Sequence, residues 1–346
     1  MDPIEDAPRP RENRRRAFWR PLLRGIFAVL SLTLWGIAAI LLTILGVGSL
    51  IPGFVLALGL VGLVVFKRKI RGTIAVVLGL CAVVILWRSL LEPSHDRDWQ
   101  PPLEVLAEPA VEGDTLTIHG VRNFAWESPD EFEERWETRS YHLGRLRSVD
   151  LILVPFGYLD LMAHTMMSFD FGEEGRLILS IEARKQVGEE YHPVTGGLNQ
   201  FELIYLFLDE RDALGVRALQ GDAFYAFPVR AKPLHLRAFL LSLCATAENL
   251  RSKPRFYHII RHNCTTAWIE HADAISNDPV GLQTESVLNG LIAELAHRRG
   301  VIDTELDYDE AKEAFRIDDK VREAEKDEHF SETIRRGRPA GSGPSS

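Results

Sequence analysis

Along the first quarter of the chain the hydrophobic pattern has no period, because almost nothing polar interrupts it. Residues 25–66 contain no charged side chain, and after a basic cluster (Lys67, Arg68, Lys69, Arg71) a second uncharged run covers 72–87. A bilayer core about 30 Å thick takes about 20 apolar residues per helix. The first run is long enough for two crossings, and Gly46, Gly48, Pro52 and Gly53 supply turn chemistry between them. The pattern predicts transmembrane helices over 22–44, 49–66 and 73–90. The apolar stretch is too long for a cleaved signal peptide, and a second spanning run follows it. Seven arginines from Arg9 to Arg24 precede the first helix, and the Lys/Arg cluster lies between the second and third. Basic residues stay on the cytoplasmic side, so both belong inside. Three crossings then place everything beyond residue 91 outside the cytoplasm.

Past residue 91 the pattern shortens and begins to alternate. Residues 92–112 are rich in proline and charge and read as a linker. Strand-like segments follow over 115–124, 148–156, 163–171, 176–183 and 201–208. In the third, His164, Met166, Ser168 and Asp170 fall on one face, the period of a strand. Gly172 and Gly175 then predict a hairpin into the fourth. Helical patterns cover 233–250, 265–275 and 285–298. Strands first and helices later predict an α+β domain over 113–317. Residues 318–346 are charged and end in Gly, Ser and Pro, the composition of a disordered tail.

Charge divides along the same boundary. Residues 1–91 carry 12 Lys and Arg against 4 Asp and Glu, a net +8, and the remainder 28 against 45, a net −17. An acidic outer domain excludes nucleic acid as a partner class, which requires basic surface.

Three cysteines are present, Cys81, Cys244 and Cys264. Cys81 falls in the third apolar run and Cys244 on an apolar helical face, where a free thiol packs as a small hydrophobe. Cys264, in YHIIRHNCTTAWIEH, stands where a helix begins, and a helix N-terminus stabilises a thiolate. Two alternatives stand beside a reactive thiol: a Cys244–Cys264 disulfide, or a metal site with His258 and His262, for which a recognised spacing is lacking. A nucleophilic cysteine needs a base. His262 is too close in sequence and His271 about two helical turns away. His164 is held by a strand, and Glu182, or Ser180, on the following strand could orient its ring.

The segments VDLILVPFG, AHTMMSFDFG, LILSIEARKQVGEEY, FELIYLFLDERDALGVR and RFYHIIRHNCTTAWIEH together resemble the Lnb-type periplasmic domain family over about residues 98–303. The resemblance implies a permuted papain-like (NlpC/P60-related) fold in which the histidine precedes the cysteine. It makes Cys264 of NCTT the catalytic cysteine and His164 the histidine, with Glu182 at the third polar position. Ala267 departs from the NCTTN that members often carry. Members of the family include lipoprotein N-acyltransferases. The implied activity is a thioester-forming acyl transfer to lipoproteins with a phospholipid donor, with membrane lipid and lipoprotein as partners and no metal or organic cofactor. Asn263 and Thr265 are the candidate oxyanion and supporting residues, beside the Cys264 N–H. Two other readings remain open on sequence: a cysteine peptidase or amidase acting on cell-wall peptides, and a non-catalytic tethered interaction domain.

Overall fold

The computed structural model describes residues 90–339 apart from 157–160, 192–195, 197–199, 277 and 282, together with the isolated positions 79, 82 and 86. The chain divides into two compact units, Met1–Leu91 and Glu92–Ser346. The basic N-terminus lies outside the described residues, as do the three expected transmembrane helices save for those isolated positions. Among the residues described no helix is long and apolar enough to cross a membrane.

Ten strands are present among the described residues: β1 (Glu108–Glu112), β2 (Thr115–Arg122), β3 (Ala125–Ser128), β4 (Glu131–Glu133), β5 (Trp136–His142), β6 (Ser148–Phe156), β7 (Met162–Asp170), β8 (Arg176–Arg184), β9 (Glu202–Asp209) and β10 (Tyr225–Pro228). The helices are α1 (Glu210–Gln220), α2 (Pro233–Ser252), α3 (Cys264–Asp273), α4 (Thr284–Val287), α5 (Ile292–Arg298), α6 (Tyr308–Ala314), α7 (Asp318–Glu323) and α8 (Phe330–Thr333). Eight strands form one sheet in the order β1-β2-β9-β8-β7-β6-β10, with β5 also paired to β2; β3 and β4 form a separate hairpin. Neighbours are antiparallel except at the parallel contact of β2 with β9 (Arg122↔Leu208).

The central strands β6 to β9 are buried along nearly their whole length, as strands covered on both faces are. On one face Leu151, Leu153, Phe169, Leu179 and Phe207 pack with Leu240 and Leu243 of α2 and Trp268 of α3. On the other, Ile152, Met166, Ile178 and Leu206 pack with Leu214 of α1, Val321 of α7 and Phe330 of α8. The architecture is a mixed α/β fold with helices on both sides of a sheet. The strand expectations over 148–156, 163–171, 176–183 and 201–208 are met within a residue at each end, and the hairpin between β7 and β8 turns through Gly172 (φ 67°) and Gly175 (φ 85°).

One irregularity positions the site. Pairing of β7 with β8 stops at Met166↔Ser180. Yet β7 continues beside β6 to Phe156↔Met162, and β8 continues beside β9 to Arg184↔Glu202. The two middle strands therefore part at the level of His164 and Glu182 and leave a notch in the sheet.

Three expectations need correction. Residues 92–112 are not a free linker: Trp99 is buried, the His95 ring nitrogen Nε2 bonds the Leu250 carbonyl at 2.7 Å, and β1 joins the sheet edge. Residues 318–339 are not a disordered tail, because they form α7 and α8 and send Arg335 and Arg338 into the domain. Arg335 meets Asp150 at 2.8 Å and Glu210 at 2.5 Å, both carboxylates buried. Composition marks these arginines as solvated; their acidic partners lie over a hundred positions away in sequence. The expected helix over 285–298 is broken by a 3-10 turn, Asn289–Leu291, between α4 and α5.

Candidate active site

Helix α3 begins at Cys264, with Asn263 as its N-cap. The Asn263 side chain accepts from the Thr266 N–H at 2.7 Å, and the Thr266 hydroxyl accepts from the Asn263 N–H at 2.8 Å, a reciprocal capping box. Asn263 Nδ2 donates to the carbonyls of Ile259 (2.6 Å) and Ser286 (3.0 Å). Both of its amide hydrogens are thus engaged. This corrects the expectation that Asn263 faces the oxyanion: its amide builds the helix start instead. Thr265 turns to the sheet, its hydroxyl 3.3 Å from that of Thr165, and supports the packing of α3 on β7. Trp268 adds a second tie, donating from Nε1 to the Thr165 hydroxyl at 3.0 Å.

Cys264 is buried at the notch, and so is His164. The His164 Nε2 lies 2.9 Å from Glu182 Oε1 and 2.7 Å from the Ser180 hydroxyl, which itself donates to Glu182 Oε1 at 2.8 Å. Glu182 and Ser180, weighed on sequence as alternatives, act on the ring together. With Nε2 held there, Nδ1 is the nitrogen left for Cys264, which lines the same cleft. Burial disfavours the imidazolium, but the Glu182 charge and the neighbouring Cys264 outweigh it and raise His164 to about 9. Burial likewise pushes the Cys264 thiol up, while hydrogen bonds and charge from His164, aided by Thr165, bring it down to about 7. Against a buried position Glu182 is nonetheless held well below the carboxylate range, chiefly by His164. These opposed shifts favour a thiolate–imidazolium pair at neutral pH.

Cys244, in α2, behaves oppositely. It is also buried and free, and with no cationic partner its thiol is pushed up to about 12. No disulfide joins it to Cys264. His258 and His262 lie on the turn before α3, hydrogen-bonded to each other through the backbone. Among the described residues no group of three or more His, Cys, Asp and Glu could hold a metal ion. His271 is a packing histidine, bonded to the Tyr205 hydroxyl at 3.1 Å and to Ser242 at 2.7 Å.

The sequence did not reveal Asn289, Tyr191 or Tyr257 as site residues. The two tyrosine hydroxyls, 3.4 Å apart, form one wall of the cleft. Asn289 Nδ2 lies 3.6 Å from the Cys264 sulfur, while its Oδ1 accepts from the Ala163 N–H at 2.9 Å. An asparagine within an expected helix carries no signal of such a role. The cleft, about 240 Å³, is lined by His164, Glu182, Cys264 and Asn289 with Lys185 and Arg217 at its polar side. Across α3, an apolar cavity of about 510 Å³ is walled by Leu151, Met167, Phe239 and Trp268 and includes Thr165 and Thr265, the chain neighbours of the two central residues.

Residues 132–290 match the family model of the Lnb N-terminal periplasmic domain. Over those residues the chain is similar to that domain. Cys264, His164, Glu182 and Asn289 all fall inside the matched Lnb segment, and this part of the chain is periplasmic. No curated protein and no solved structure matches the chain.

Proposed function

We propose that the Lnb domain of this chain is a cysteine-dependent acyltransferase of permuted papain-like design, tethered to the inner membrane by the apolar segments before residue 91. The observation that carries this reading is Cys264 at the start of α3, in one cleft with a His164 that Glu182 and Ser180 hold from behind. The thiolate attacks the ester carbonyl of a phospholipid, forming a C–S bond. As the intermediate collapses, the C–O bond breaks and the leaving alkoxide takes the His164 proton. An amine, the N-terminus of a lipoprotein, then attacks the thioester. Its C–N bond forms, the C–S bond breaks, and the amine proton returns to the Cys264–His164 pair.

The order His164 before Cys264 supports the permuted design. The apolar cavity beside α3 supports a long-chain acyl group over a peptide. Tethering at the bilayer raises the effective concentration of a lipid donor.

Mass spectrometry of the detergent-solubilised full chain incubated with phospholipid tests the reading. A fatty-acyl adduct on Cys264 is expected, released by hydroxylamine and absent from Cys264→Ser and His164→Ala. A free, unacylated Cys264 that instead cleaves cell-wall peptides would replace acyl transfer with peptidase chemistry.

A further inference from the structure

Asn289 sits where the helical pattern of 285–298 breaks, on the 3-10 turn between α4 and α5. The segment is tied at three points to the elements that carry the chemistry. Asn263, the cap of α3, donates to the Ser286 carbonyl (3.0 Å); Ala163, next to His164, donates to Asn289 Oδ1 (2.9 Å); and the Gly290 N–H donates to the Leu161 carbonyl (3.1 Å). The second contact fixes the amide's orientation. A backbone N–H can only donate, so the atom facing Ala163 must be the oxygen, and the NH₂ must face the other way. The other way is the Cys264 sulfur, 3.6 Å from Nδ2. Asn289 is 5% exposed, and among the described residues the Cys264 sulfur is the one acceptor that Nδ2 has.

We infer that Asn289 is the side-chain oxyanion donor of this site, a catalytic residue whose amide binds the carbonyl oxygen of an acyl ester as Cys264 attacks it. The inference rests on the acyl-transfer reading above. When the C–S bond forms, the carbonyl π pair moves onto oxygen, and that oxygen comes within reach of the donor that now faces the sulfur. The Cys264 N–H, at the first position of α3, has no acceptor within the helix and supplies the second donor. When the intermediate collapses the pair returns to re-form the carbonyl, and the alkoxide leaves with the His164 proton. At rest the donor touches the sulfur at 3.6 Å, and the oxyanion forms one bond away from that sulfur. His164 and Thr165 hold the thiolate.

This division of labour gives a test. Acylation of Cys264 by a p-nitrophenyl ester passes through an oxyanion; alkylation by iodoacetamide does not. In the full chain, Asn289→Asp keeps the acceptor for the Ala163 N–H and removes the donor, and Asn289→Ala removes both. Removing one oxyanion donor costs roughly 10²–10³ in rate, so both variants should lose that much in acylation while Asn289→Ala alkylates within about threefold of the wild type. Loss of both rates together in Asn289→Ala would overturn the assignment in favour of a positioning role, and loss of neither would overturn it outright. A wild type that is alkylated but never acylated overturns the acyl-transfer reading and the assignment with it. A wild type that is acylated beside an equally fast Asn289→Asp overturns the assignment alone.

Discussion

At the scale of single residues, two buried cysteines in one domain titrate in opposite directions, and the difference lies in what each one touches. Cys244 lies in the apolar core and burial pushes it up, whereas Cys264 has the His164 ring beside it, raised through Glu182. The species competent for acylation needs Cys264 deprotonated and His164 protonated. It therefore populates as pH rises through about 7 and is lost as pH rises through about 9. The rate of Cys264 acylation, which uses the His164 proton, should follow a bell with those limbs, while alkylation, which needs only the thiolate, should rise through about 7 and not fall through about 9. In Glu182→Gln the charge that raises His164 is gone, so the alkaline limb should move down toward the ordinary histidine value of about 6.5. A single rise near the ordinary cysteine value, in the wild type, would show that no ion pair exists.

Elements deliver these residues by where they start and stop. Helix α3 starts at Cys264 because Asn263 caps it, strands β7 and β8 part beyond Met166↔Ser180 and expose His164 and Glu182, and the break before α5 presents Asn289. The cap is the point where this arrangement is most vulnerable. Asn263→Ala removes a capping bond worth about 1 kcal/mol. It also leaves the buried Ser286 carbonyl without that donor, at about 1–3 kcal/mol. Thermal unfolding should show a loss of about 2–4 kcal/mol with slower alkylation of Cys264. Asn263→Asp, which keeps the cap acceptor, should fall between that variant and the wild type.

Across the whole molecule, the C-terminal segment closes the face of the sheet opposite α2 and α3. Arg335 reaches Asp150 of β6 and Glu210 of α1, and Arg338 joins it on Asp150 and on the Ala226 carbonyl. Burial disfavours the Asp150 charge, but Arg335, Arg338 and Arg176 hold its carboxyl well below the usual range, and Arg335 does the same for Glu210. Removing one partner of a buried ion pair strands the other, at about 3–5 kcal/mol. Arg335→Ala should lose about that much in urea unfolding at neutral pH. Because the folded pKa values are depressed, the wild-type advantage is complete above the unfolded carboxylate values of about 4 and shrinks as pH falls below them. A difference that stays constant into acid would mean the pair contributes packing rather than charge.

What the sequence by itself determined was local or chemically specific. The runs that became β6 to β9, the hairpin at Gly172 and Gly175, the helix start at Cys264 and the family motifs were legible because each depends on neighbours within a few residues. So were His164 and Glu182, through the strand alternation and the resemblance that selected them. Tertiary structure decided the rest, because the deciding partners are remote in the chain. Pairing with β2 makes a strand of the proline-rich stretch at β1. Asp150 and Glu210 turn a charged tail into part of the fold, an outcome that composition cannot register because it counts charges without locating partners. Asn263 and Asn289 were told apart only in three dimensions. The first fills its hydrogen-bonding capacity within the helix cap, and the second has its oxygen fixed by Ala163 and so can only offer its NH₂ to the sulfur of Cys264.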